Sequence, residues 1–132
     1  MSDELERPES RLPLTPAVFA ILLALVGGEK HGYAIMREIA GSSAGALRVG
    51  PGTLYRSIKQ LLAAGLIDES GDRPDPALDD ERRRYYRLTA FGRRVVQAEA
   101  LRLARLVGQA QAKGLLGGAA RPATGRGARA AR

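Results

Sequence analysis

The stretch Pro16–Val26, PAVFAILLALV, is apolar on nearly every face. Thr15 ahead of it offers an N-cap oxygen, Pro16 suits the first helical position, and Gly27-Gly28 stop the run. It is too short to span a bilayer and predicts the central helix of a small bundle. A second helical period starts near His31-Gly32 and runs to Ala40. Tyr33, Met36 and Ala40 fall on one side with Ile35 and Ile39 beside them, which assigns Tyr33 to the core, while Arg37 and Glu38 face outward. His31, at the start of this helix, is expected to cap it or to make a buried hydrogen bond. The third helix opens at Gly50-Pro51-Gly52, carries Leu54, Ile58, Leu61 and Leu62 as a core stripe, and ends at Gly65 as a C′ glycine. Its outer face holds Thr53, Arg56, Lys59 and Gln60, flanked by Tyr55 and Ser57. That face carries positive charge and hydrogen-bond donors, and no carboxylate.

The pattern then changes period. Leu66–Ser70 reads as a short strand, and residues 71–81 as a loop broken by Pro74 and Pro76. Arg82–Leu88 reads as a second strand with Arg84, Tyr86 and Leu88 on one face and Arg83, Tyr85 and Arg87 on the other. Thr89 caps a long helix that reaches Lys113. Val96, Leu103 and Ala110 recur seven apart in it, with Ala100, Leu106 and Val107 at alternate positions. A helix of this length exceeds what so small a domain can cover, so Val96, Leu103, Leu106, Val107 and Ala110 are expected to form a homodimer seam. The expected organisation is a flexible arm over 1–12, a compact domain over 13–89, a dimerisation helix over 90–113 and a disordered basic tail over 114–132. The fold class is mainly α with a small β-hairpin.

Composition narrows the chemistry. The 132 residues contain no cysteine, no tryptophan and a single histidine, His31. This excludes disulfide scaffolds, thiolate metal sites and cysteine nucleophiles, and leaves a two-His metal site impossible. No nucleophile–base pair is visible, so neither catalytic residues, metal nor cofactor are expected. The triplet Asp79-Asp80-Glu81 lacks a His partner and reads as solvated carboxylates. Lys and Arg total 21 against 14 Asp and Glu, for a net charge of +7. That balance favours a polyanionic partner, although Arg121, Arg126, Arg129 and Arg132 in the tail supply much of it. The chain shows no membrane-length apolar run, and its acidic N-terminus does not resemble a signal peptide, so a cytoplasmic, nucleoid-associated location is expected.

Helix, helix, helix, hairpin is the order of a winged helix-turn-helix, in which the second helix of the pair enters the DNA major groove and the wing reaches the neighbouring backbone or minor groove. The third helix, about 21 Å long at 1.5 Å per residue, is then the reader. Arg56, Lys59 and Gln60 suit base edges, and Thr53 a phosphate or a base. Tyr55 can either pack across the second helix or donate its hydroxyl to a phosphate. Gly52 leaves room where the helix start would approach DNA or the preceding helix. In the wing, Arg83 or Arg84 would meet the backbone or a narrow minor groove. The competing reading is a winged-helix protein-interaction module that binds no DNA.

The strings LTPAVFAILLALVGGEKHGYAIMREI, VGPGTLYRSIKQLLAAGLI and RRYYRLTAFGRR resemble the PadR family of bacterial transcriptional regulators. HGY at 31–33, GTLYR at 52–56, GLI at 65–67 and the YYRLT–G pattern over 85–92 fall in that family's order, and the resemblance spans Leu12 to Leu106. It implies a winged-helix domain followed by a dimerising helix, in the short subfamily with a single C-terminal helix. It further implies a repressor on a palindromic operator that responds to a small-molecule effector. Gly50 departs from the pattern where a side-chain cap is common, and the 71–81 loop is longer and more acidic than a minimal wing turn.

Overall fold

The computed structural model describes residues 6–72 and 84–117. The elements are helices α1 (Pro16–Val26), α2 (Gly32–Ser42), α3 (Pro51–Ala63) and α4 (Ala90–Ala112) and strands β1 (Lys30–His31), β2 (Ile67–Asp72) and β3 (Arg84–Leu88). The fold is a winged helix-turn-helix with a long C-terminal helix. Residues up to Glu99 form one compact unit and those from Ala100 a second.

Local chemistry starts and stops the elements as their sequences require. Thr15 Oγ1 accepts from Val18 N–H at 3.1 Å to cap α1. His31 Nδ1 accepts from Ala34 N–H at 3.1 Å to cap α2, which fixes the remaining proton of the neutral ring on Nε2. No side chain caps α3 at Gly50. At its other end Gly65 adopts φ +79°, Gly65 N–H donates to Leu62 and Leu66 N–H to Leu61, closing a Schellman motif. Gly114, at φ +82°, ends α4 the same way, with Leu115 N–H donating to Ala110. The rest of the expected basic tail, from residue 118, lies outside the described residues.

The core draws Ile21, Leu22 and Leu25 from α1, Ile35 and Ile39 from α2, Leu54, Ile58 and Leu61 from α3, and Val95 and Val96 from α4. Four residues differ from the sequence pattern. In α1, Leu23 and Val26 stay exposed, so the helix is buried on one side only. In α2 the buried side is Gly32, Ile35 and Ile39, and Tyr33 is 40% exposed rather than part of the core. Its ring lies near His31, with the Arg37 guanidinium 5.6 Å from its centroid. Val96 is 4% exposed within the core. Pro8–Arg11 form a 3-10 turn, Leu12 and Leu14 pack on the core, and Leu14 N–H donates to the buried Glu99 carboxylate at 3.1 Å.

The sheet has three strands in the order β1-β3-β2, all antiparallel. Strand β1 was not visible in the sequence, because two residues cannot display an alternation. It pairs Lys30 with Tyr86 and His31 with Tyr85, so the start of α2 is stitched to the wing. A register shift between Glu69 and Gly71 bulges β2 at Ser70.

Candidate nucleic-acid interface

Helix α3 is divided cleanly. Leu54, Ser57, Ile58 and Leu61 are buried, while Thr53, Arg56, Lys59 and Gln60 are exposed together on the opposite side. Arg56 Nη2 lies 3.4 Å from Thr53 Oγ1, a long contact between neighbours one turn apart. Burial of one face therefore fixes the axial rotation of α3 and leaves the four polar side chains as a coherent outward row.

Tyr55 sits on the flank, half-buried. A Cβ added at Gly32 would land on the Tyr55 hydroxyl, so the ring is laid over the first turn of α2. The sequence left packing and phosphate contact open, and the structure shows the packing. This contact also explains why HGY and GTLYR belong together: the glycine of one makes room for the tyrosine of the other. Gly52, by contrast, is exposed, and nothing lies within 4 Å of where its Cβ would be. Its missing side chain serves no packing within the described residues.

The wing is tied to α3 through a second glycine contact. Thr89 Oγ1 donates to Gly65 C=O at 2.6 Å and accepts from Gly92 N–H at 2.9 Å. Thr89 N–H donates to Leu66 C=O at 3.0 Å. A Cβ at Gly92 would collide with the Leu66 carbonyl. The GLI and YYRLT–G segments thus form one joint, where the stop of α3 meets the start of α4.

Between α3 and strands β2 and β3 lies a cleft of about 470 Å³. Ile58, Leu62 and Tyr86 line it along with the cations Arg56, Lys59 and Arg84. The cleft brings Arg84 of the wing to the same side as the outward row of α3. Arg83, the Asp79-Asp80-Glu81 triplet and the rest of the wing loop lie outside the described residues. Among the described residues no group of acidic, His or Cys side chains is arranged to hold a metal ion, and no helix is long and apolar enough to cross a membrane.

The residues expected to form a dimer seam separate. Val96 is occupied by the core, together with Phe91, Val95 and Glu99 of the same helix. Leu106 and Val107 are 47% and 49% exposed, and Leu103 and Ala110 are half-buried. Leu101, which the stripe did not include, is also exposed. The heptad pattern merges two uses of one helix: its first half covers the domain's own core, and its second half carries apolar side chains left at the surface.

These features define a winged-helix protein of the transcription-regulator class. The alignment with known proteins is specific: residues 21–98, more than half of the chain, match the Transcriptional regulator PadR-like family. The chain belongs to the PadR-like family of transcriptional regulators, whose members are not enzymes. Over 93 residues it is 37% identical to an uncharacterized 37.1 kDa protein in transposon TN4556 of Streptomyces fradiae. That alignment covers 70% of this chain and 24% of the relative, so the chain spans about a quarter of the relative's length. Among solved structures, RosR of H. salinarum is 30% identical with a TM-score of 0.56, over 74% of this chain and 81% of that one. A transcriptional regulator from Clostridium thermocellum aligns at TM-score 0.61 and 23% identity, over 74% and 91% of the two chains. Bacillus subtilis PadR in complex with operator DNA aligns at TM-score 0.55 and 23% identity, over 69% and 47%. The last two likenesses are of fold.

Proposed function

We propose that this chain binds duplex DNA through α3 and the wing, as a homodimer on a palindromic operator, and represses transcription by excluding polymerase. The observation that carries this reading is the outward row Thr53, Arg56, Lys59 and Gln60 on a helix whose opposite face is locked into the core, with Arg84 beside it. Arg56 and Gln60 present donors suited to purine edges, while Lys59 and Arg84 suit phosphates. Arg83, which the strand alternation puts on the other face from Arg84, keeps the backbone-contact role expected of a wing arginine. Tyr55 supports the reader by packing it against α2 and can extend its hydroxyl edge toward the backbone. The half-exposed Leu106 and Val107, with Leu103 and Ala110, supply the apolar surface for a two-fold mate, which would present two reader helices to two half-sites. Response to a small molecule, and action in the cytoplasm on chromosomal DNA, belong to the same reading on the strength of the family.

The test is a fluorescence-anisotropy titration of a labelled random-sequence duplex across a salt series. Binding should weaken steeply with salt, and replacing Lys59 and Arg84 by Ala should reduce the salt slope by about one unit per lost phosphate contact. Absence of salt-dependent binding would overturn the reading in favour of a protein-interaction module.

A further inference from the structure

The cationic cleft between α3 and the wing contains a carboxylate that DNA binding does not call for. Glu69 lines it beside Arg56, Lys59 and Arg84, and is the only acidic side chain among the described residues that do so. Its Oε2 lies 4.0 Å from Arg84 Nη1, with the two side chains 45% and 50% exposed. The sheet explains how it gets there. Glu69 pairs with Tyr86, and Arg84 is two residues from Tyr86 on the same face of β3. The bulge at Ser70 takes up one extra residue, so that Asp72 rather than Gly71 reaches the register of Arg84. Glu69 and Arg84 are therefore diagonal neighbours on the face that looks into the cleft.

Resting on the DNA-binding reading above, we propose that Glu69 is an internal competitor for DNA: it occupies Arg84 in the free protein and opposes the phosphate that would replace it. The pair is long and solvent-screened, so it yields to a phosphate rather than blocking it. A carboxylate left in the cleft still repels the incoming backbone, and it cancels part of the charge that would otherwise release counterions. Glu69 thereby holds down affinity for duplexes of any sequence without touching a base. In a regulator that must leave random DNA to find its operator, this lowers the non-specific background on which specific binding is read.

Glu69→Gln keeps the size and hydrogen-bonding capacity of the side chain and removes the charge. Its affinity for a random-sequence duplex of about 20 base pairs should rise by about 3–10-fold at low salt. The salt slope should steepen by up to about 0.9, and the gain should vanish when the Debye length falls to about 3 Å near 1 M salt. Glu69→Ala should behave alike, which separates charge from any particular contact of glutamine. In an Arg84→Ala background Glu69→Gln should give a smaller gain, because only the repulsion of the backbone is then relieved. Equal or weaker binding by Glu69→Gln, with the wild-type protein binding normally, would overturn the competitor role and leave the DNA-binding reading standing. An undiminished gain without Arg84 would overturn the competition for that arginine. A wild-type protein that shows no salt-dependent binding would overturn both.

Discussion

Gly92→Ala should be among the most damaging single-atom changes in this domain. The added methyl would overlap the Leu66 carbonyl, which is backbone and cannot rotate away. Relief requires the start of α4 to withdraw from the end of α3. The withdrawal would stretch the Thr89 hydroxyl bond to Gly65 at 2.6 Å, the Thr89 N–H bond to Leu66 at 3.0 Å and the Gly92 N–H bond to Thr89 at 2.9 Å. At about 0.5–1.5 kcal/mol for each bond, their combined loss costs about 2–4 kcal/mol. Alanine is a better helix former than glycine by about 1 kcal/mol, which offsets part of this. The net expectation is a loss of about 1–3 kcal/mol, read as a lower urea midpoint at unchanged m-value. Gly108→Ala on the same helix is the control, because nothing lies within 4 Å of its Cβ position. It should gain up to about 1 kcal/mol. If Gly92→Ala were as stable as the wild-type protein, the joint between GLI and YYRLT–G would not be the tight contact described above.

Glu99→Ala removes the acceptor of the Leu14 N–H and should cost about 1–3 kcal/mol in urea denaturation, whereas Glu99→Gln retains an acceptor oxygen and should cost less; equal losses would show that the carboxylate charge, not that hydrogen bond, is what matters. Gly52→Ala adds a methyl in open space, so the melting temperature should hold or rise while duplex affinity falls; unchanged affinity would place Gly52 away from the DNA. The double variant Leu103→Glu, Val107→Glu should be monomeric by light scattering, because burying unpaired carboxylates costs several kcal/mol; a dimer that survives would put the interface elsewhere.

Much of this architecture is written locally. The caps at Thr15, His31 and Thr89, the Schellman stop at Gly65 and the division of α3 into a buried stripe and a polar row all depend on residues within a few positions of one another. A period of 3.6 and a hydrogen bond to the third residue onward are visible in any sequence that contains them. The outward row of Thr53, Arg56, Lys59 and Gln60 was legible for that reason. What tertiary structure alone decided is which residues meet across the chain. Strand β1 exists only because β3 offers Lys30 and His31 a ladder. Tyr33 faces solvent because the contact with Tyr55 draws Gly32 inward, and the buried stripe of α2 is turned with it. Val96 and Val107 share one heptad pattern, yet Val96 is spent on the domain's core and Val107 stays half-exposed. Glu99 looks like one more surface charge on a polar helix until Leu14, far away in sequence, brings it an amide. Glu69 and Arg84 lie on different strands, and the pairing of Glu69 with Tyr86 that sets them diagonal to each other exists only once β2 meets β3. Periodicity records which side of an element is apolar. It carries no record of what that side will touch, since contact depends on how distant elements share a limited buried volume.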